Sequence, residues 1–351
     1  MFRFRLCSQC AYRQGLGREE SILNEGYGSR TSVVAPSGRE GSTINGECYI
    51  CNGLLSRLDD IFKEMLHAVK EYDFKSFLIG CSIPNHMIER EDELRAHMKI
   101  KGRESIKGNI SRVLGSRLAS LGYTVDYMHP DIDIHLDLDL DNFRVNVRSR
   151  PIYLAGKYKK NIRGLTQKGS ENSVESMIRG YIMKEYLCDD VRFAWIGGED
   201  RESLVINGRP VFIKLINPRR TKVEHKSVEL DGVIFSIDSR VKRLPSNVRF
   251  LTRVRVHLRC SDTAADSRVL LLNNLDVRFY DKGKSIVRCI HEASVSYSSI
   301  SNGMLELDID MLIDGGFMIK RFIDGESIPS IRDILGDARM VYFDVIDIIV
   351  Q

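Results

Sequence analysis

Two Cys-x-x-Cys knuckles, Cys7-Ser8-Gln9-Cys10 and Cys48-Tyr49-Ile50-Cys51, constrain this chain more than any other feature. Four thiolates arriving in two such pairs are the ligand set of a tetrahedral structural zinc. The two knuckles are therefore expected to meet, with the chain between them looped out. Sulfur takes all four positions, so none stays open for catalysis, and the metal is expected to be structural. Between the knuckles, Gly26 to Gly46 is rich in Gly and Ser and reads as a flexible insertion. Cys81, Cys188, Cys260 and Cys289 are scattered singly and read as packed thiols.

A chain of 351 residues can hold two or three domains, each with its own core. Net charge is only +4, so bulk basicity does not announce a nucleic-acid partner. Its distribution is more informative. From Asn142 to Ser170 there are eight basic residues (Arg144, Arg148, Arg150, Lys157, Lys159, Lys160, Arg163, Lys168) and no acidic one. From Ser239 to Ser261 there are seven more (Arg240, Lys242, Arg243, Arg249, Arg253, Arg255, Arg259), again without Asp or Glu. Such stripes in a nearly neutral chain suggest local phosphate-binding surfaces; the plain alternative is two solvated faces balanced by acids elsewhere. Met1 to Cys10 lacks the apolar core of a signal peptide, and no run reaches transmembrane length. A soluble, cytoplasmic protein with reduced thiols and no membrane partner is expected.

Three units are expected: 1–53 with the knuckles, 54–168, and 169–351. In the second, Leu54, Leu58, Ile61, Met65 and Val69 recur at helical spacing. Lys75 to Ser82 reads as a strand and Met87 to Leu121 mostly as helix. Asp131 to Leu140 is a period-two strand with Asp131, Asp133, His135, Asp137 and Asp139 on one face. That face could suggest a metal. The following strand, Phe143 to Arg148, carries Arg144 and Arg148, so a hairpin pairing opposite charges is the better reading. The unit closes in a basic loop, Gly156 to Gly164. The third unit opens on a helix (Ser173 to Leu187) and becomes strand-rich. Arg249 to Arg259 alternates an apolar face with a basic one, which fits a sheet meeting phosphates. His257 on that strand reads as a polar-face residue ahead of a general base. The fold class is α+β, with a mixed, mostly antiparallel sheet in the last unit.

One short stretch offers chemistry. Gly197-Gly198-Glu199-Asp200 is followed by Asn207-Gly208-Arg209-Pro210 and Asn217-Pro218-Arg219-Arg220. A Gly pair ahead of an Asp lets the backbone turn and presents one carboxylate at a loop tip. Arginine-rich turns then surround it with positive charge. Taken alone, most such stretches are ordinary surface turns.

Taken with the other motifs, the chain resembles archaeal-type tRNA pseudouridine synthases that carry an N-terminal zinc-binding and THUMP-like module, almost end to end. The resemblance rests on Cys7 to Arg13, on Glu89 to Arg95 with Gly102 to Lys107, and on the Gly156 to Gly164 loop. It continues through Gly197 to Asp200, Gly208-Arg209-Pro210 and Asn217-Pro218-Arg219-Arg220, and ends at Gly316-Phe317-Met318-Ile319-Lys320. It implies isomerisation of uridine to pseudouridine at two adjacent T-loop positions of tRNA, 54 and 55, with Asp200 as the catalytic carboxylate. Lys320 would keep Asp200 ionised and oriented. Arg201, Arg209, Arg219, Arg220 and Arg255 would bind substrate, and Lys157, Lys159, Lys160 and Arg163 would grip the tRNA T arm. Cys7, Cys10, Cys48 and Cys51 would hold zinc. No organic cofactor and no obligate protein partner is expected.

The chain departs from the family at three positions. Gly198 stands where an Arg is usual, with Arg201 a possible replacement for its charge. Arg253-Val254-Arg255 lacks the Tyr usually beside the uracil. Met318 replaces a second Tyr. The rival reading is a catalytically weak or inactive tRNA-binding or chaperone protein of the same architecture. A THUMP-bearing methyltransferase or thiolation enzyme would need a Gly-rich cofactor loop between strand and helix, which Gly15-Leu16-Gly17 does not supply.

Overall fold

The structure, a computed structural model, describes residues 4–16, 31–34, 40–44, 48–139, 142–281 and 283–351. It divides into two units, 1–150 with 219–221, and 151–218 with 222–351. The boundary expected at 168 thus falls at 150.

In the first unit, β1 (Phe4–Cys7), β2 (Thr31–Val34) and β3 (Glu40–Ile44) form an antiparallel sheet. Two stretches of the Gly26 to Gly46 insertion are therefore strands; the rest of it, with Gly17, lies outside the described residues. The first knuckle opens a short helix, Ser8–Arg13, and the amide of Cys10 donates to the Cys7 Sγ at 3.4 Å. The second sheet contains β4 (Ser76–Ser82), β5 (Thr124–Val125), β6 (Ile132–Leu138) and β7 (Phe143–Ser149), in the order β5-β4-β6-β7. The helical stretch read over Met87 to Leu121 is two helices, Asn85–Met98 and Ile106–Ser120. The first ends at Lys99, whose φ is +52°, and Ser105 caps the second by accepting from the Gly108 amide. The acidic hairpin pairs as the charge pattern demands: Asp133 faces Arg148 and Asp137 faces Arg144.

The knuckles share one apolar core with these helices and strands. A buried polar knot sits at that junction. Glu91 pairs with Arg13 and, at 3.4 Å, with Arg95. It also accepts from the Gln14 amide nitrogen at 2.7 Å and from the Ile106 backbone N–H at 3.2 Å. The segments most reminiscent of the family, around Glu91 and Glu104, are thus where the knuckle helix is fastened down.

The second unit holds one long, mostly antiparallel sheet. Its strands are β8 (Ile152–Lys160), β9 (Asp190–Trp195), β10 (Val205–Ile216), β11 (Lys226–Leu230), β12 (Val233–Val241), β13 (Phe250–Cys260), β14 (Leu275–Asp281), β15 (Lys284–Ser301), β16 (Met304–Asp314), β17 (Ser327–Ile328) and β18 (Ala338–Val350). The order is β11-β12-β8-β10-β18-β13-β16-β15-β14-β17, with β9 beside β10. Among the described residues of this sheet, only β10 and β18 pair in parallel. The helix Val174–Tyr186 carries a Ser173 capping box and buries Val174, Ile178, Ile182 and Tyr186 in this unit's core. The "basic loop" is therefore largely β8, and it belongs to this sheet.

Candidate active site

The turn Gly197 to Asp200 lies between β9 and β10, and glycine is required at its first position. Gly197 has φ +74°, and a Cβ there would fall 2.7 Å from an Arg209 nitrogen. Gly198 is different. A Cβ there would meet nothing closer than Gln167 Oε1 at 3.7 Å, so this backbone does not demand glycine.

The two carboxylates after the glycines have opposite environments. Glu199 is fully buried: its Oε2 lies 2.8 Å from Arg209 Nε and accepts from the Tyr158 hydroxyl at 2.6 Å. Its Oε1 has no hydrogen-bond partner among the described residues and lies 3.9 Å from Lys160 Nζ. Burial, then the Glu199 charge, pushes the Tyr158 hydroxyl well above its ordinary value, so it stays a donor. Asp200 is 23% exposed and pairs with the Lys320 ammonium. Its Oδ1 accepts from the Glu202 backbone N–H at 3.1 Å. Burial pushes the Asp200 carboxyl up, but Lys320, the Glu202 amide and Lys160 together outweigh it and hold the group below the usual carboxylate range. The structure thus brings Lys320 to Asp200 across 120 residues of sequence.

Both open on a cavity of about 280 Å³. Its walls include Phe250, Phe343, Val254 and Met318, and its size sits near the lower end of small-ligand pockets, roughly 300 Å³. That suits one flat, mostly apolar group such as a base. Val254 occupies the wall where the resemblance expects Tyr. Phe250 and Phe343 are aromatic surfaces that the sequence does not single out. Phe343 sits on β18, whose run of alternating residues carries no chemical signal.

The arginines expected to bind substrate are mostly engaged elsewhere. Arg209 is buried and donates to the carbonyls of Ile196 at 2.8 Å and Gly198 at 3.1 Å, so it holds the turn from beneath. Arg201 is absent from the pocket wall and pairs with Glu202 at 3.2 Å. Arg219 and Arg220 fall in the first unit, where Arg219 pairs with Glu71 at 3.4 Å. Arg255 is likewise absent from the pocket wall and grips Asp310 with two bonds of 2.7 and 2.8 Å. It is one of a ladder across β13 and β16: Arg255 with Asp310, His257 with Asp308, Arg259 with Glu306. The basic face of β13 is therefore neutralised by its neighbour. Its arginines stay 39% to 56% exposed, but each is paired with an acid, and His257 is one of its cross-strand pairs.

The β8 cations divide in the same way. Lys157 is exposed and Lys159 half-buried. Lys160 is wholly buried, and Arg163 clamps Asp344 with bonds of 2.7 and 2.8 Å while covering the Tyr342 ring at 3.9 Å. Asp344 also accepts from the Leu204 backbone N–H at 2.8 Å, so this clamp fastens the far side of the Asp200 loop. Lys160 is corrected from an RNA contact to an internal strut, whereas Arg163 stays at the surface with its guanidinium committed to Asp344. By contrast, Arg240, Lys242, Arg243 and Arg249, between the end of β12 and the start of β13, are exposed and have no ion-pair partner among the described residues.

In the first unit the sulfurs of Cys7, Cys10, Cys48 and Cys51 lie within 4.8 Å of one another, all buried. A tetrahedral zinc with Zn–S bonds of about 2.3 Å has S–S edges of roughly 3.8 Å. The Cys7 and Cys51 sulfurs are 3.7 Å apart, so the donor set fits a single metal ion. Arg13 donates to the Cys10 Sγ at 3.4 Å, tying this cluster to the Glu91 knot. No other such group of potential ligands occurs among the described residues. No helix among them is long and apolar enough to cross a membrane.

Comparison with known proteins identifies the family. Residues 61–137 match the family described as "Pus10 THUMP domain, archaeal", and residues 153–258 match "Pus10, C-terminal". The tRNA pseudouridine synthase Pus10 of Cenarchaeum symbiosum is 31% identical over 94% of this chain and 86% of its own length. That of Nitrosopumilus maritimus is 28% identical over 99% and 96%, and that of Picrophilus torridus 25% identical over 97% and 96%. The chain belongs to the Pus10 family of tRNA pseudouridine synthases.

Proposed function

We propose that this isomerase converts uridine to pseudouridine in the T loop of tRNA, at the two adjacent positions 54 and 55, with Asp200 as its catalytic carboxylate. One observation carries the reading: Asp200 is paired with Lys320 at the edge of a base-sized, largely apolar cavity. The target nucleotide leaves its stack to enter that cavity. An ionised carboxylate there can attack covalently or stabilise the positive charge that develops as the base–sugar bond breaks. Uracil then turns and rejoins the sugar through carbon. Phe250 and Phe343 supply the apolar walls against which a flat base can rest.

The first unit, held by one zinc ion at Cys7, Cys10, Cys48 and Cys51, contributes RNA-binding surface. The metal supplies no reaction step, because four sulfurs leave no open position. Phosphates of the T arm meet Lys157, Lys159 and the exposed run Arg240, Lys242, Arg243 and Arg249. Incubating the protein with an unmodified tRNA transcript and mapping each uridine tests the assignment. Pseudouridine at 54 and 55 is expected. Tight tRNA binding with both uridines unchanged would instead make the chain the inactive RNA-binding protein.

A further inference from the structure

The buried charges beneath the Gly197 to Asp200 turn do not balance. Glu199 is one anion, while Arg209 at 2.8 Å and Lys160 at 3.9 Å are two cations, and all three side chains are at most 1% exposed. Lys160 has all three ammonium hydrogens committed. They go to the carbonyls of Leu165 at 2.8 Å, Asp200 at 3.0 Å and Arg201 at 3.3 Å. Two of the three acceptors are thus the backbone of the catalytic carboxylate and of the residue after it. A buried lysine held mainly by neutral carbonyls is a poor stability device, because an apolar side chain of similar volume usually does as well or better. The fold alone gives no reason for it.

We propose that Lys160 is a positioning residue of the isomerisation: its buried ammonium pins the Asp200–Arg201 backbone so that the carboxylate is presented to the cavity and to Lys320, and it leaves surplus positive charge directly behind that carboxylate. This rests on Asp200 being the catalytic group. The charged groups around Lys160 are Glu199, Asp200, Arg209 and Glu202, and around Asp200 they are Lys320 and Lys160.

The test is a set of single-turnover assays on an unmodified tRNA transcript, each paired with a tRNA binding measurement and a thermal melt. Lys160→Met should slow pseudouridine formation roughly ten- to hundredfold, the scale expected when a reacting group is displaced by about an ångström. Its tRNA affinity should stay within about twofold of wild type, and Lys160→Arg should recover part of the rate. Lys160→Met leaves Glu199 with its Arg209 partner at 2.8 Å, so its melting temperature should stay near wild type while the rate falls. A wild-type rate for Lys160→Met would overturn the proposal, since Lys160 would then be only a counter-ion for Glu199. Should Lys160→Met fail to fold, Lys160→Gln, which loses the charge but keeps a donor, decides in its place: a slowed rate is expected, and a wild-type rate overturns the proposal. Asp200→Asn assayed in parallel separates the two claims: if it turns over normally, the Asp200 reading falls and takes this one with it. If it is inactive while Lys160→Met is normal, only the role of Lys160 falls.

Discussion

Each unit buries one glutamate against arginine, Glu91 in the first and Glu199 in the second, and the two knots do different work. Glu91 is fully enclosed by Arg13, Arg95, Gln14 and the Ile106 amide, and every partner belongs to the frame that joins the knuckle helix to the helices beside it. Glu199 has an equally buried setting, but the next residue, Asp200, opens on a pocket. Both knots carry the desolvation cost of buried charge. The first uses it to lock a small metal module; the second uses it to hold one exposed carboxylate still. Burial and pairing alone do not distinguish a structural knot from a functional one. What adjoins them does.

The largest effect should come from the metal. Cys7→Ser with Cys48→Ser should abolish a bound stoichiometry of one zinc per chain, measured by elemental analysis, and should unfold the knuckle region, since metal binding and folding are coupled in such modules. Metal-free wild-type protein with an unchanged melt would break the structural half of the comparison. Next, Glu91→Ala strands Arg13 and should cost about 3–5 kcal/mol of stability by denaturant unfolding. Below its melting temperature, its single-turnover rate should stay near wild type; a specific rate loss would make Glu91 functional as well. Lys242→Ala with Arg243→Ala should reduce the salt dependence of tRNA binding by about 0.7–0.9 in logarithmic slope for each phosphate no longer neutralised. An unchanged slope would confine RNA contacts elsewhere. Smallest of all, Arg255→Ala removes one exposed cross-strand pair and should cost about 1 kcal/mol or less, with rate and tRNA affinity untouched.

The sequence carries local pattern well and long-range partnership poorly. The hairpin of β6 and β7 is legible because each strand's alternation and charge sign specify the other. The four-sulfur cluster is legible because two knuckles of one ligand type have little else to do. On β13 the alternation is equally plain, yet its basic face looks open to phosphates. The acids that neutralise it, Glu306, Asp308 and Asp310, lie about 50 residues onward in a strand of the same period, and nothing local announces which strand pairs with which. Lys160 escapes sequence reading for another reason. It lies in phase with Ile152, Leu154 and Tyr158, the inward face of β8, but the basic residues around it suggest a solvated loop. The pairing of Asp200 with Lys320 comes from family resemblance; a spacing of 120 residues could not supply it.

Everything proposed for the second unit depends on Asp200 doing the chemistry that Glu199 and its cations hold it in place to do. Single-turnover pseudouridine formation by Asp200→Asn, on an unmodified tRNA transcript at saturating protein, tests this most directly. A catalytic Asp200 predicts wild-type tRNA affinity with a rate lowered on the order of a thousandfold or more. Pseudouridine appearing in the T loop within about tenfold of the wild-type rate would contradict it.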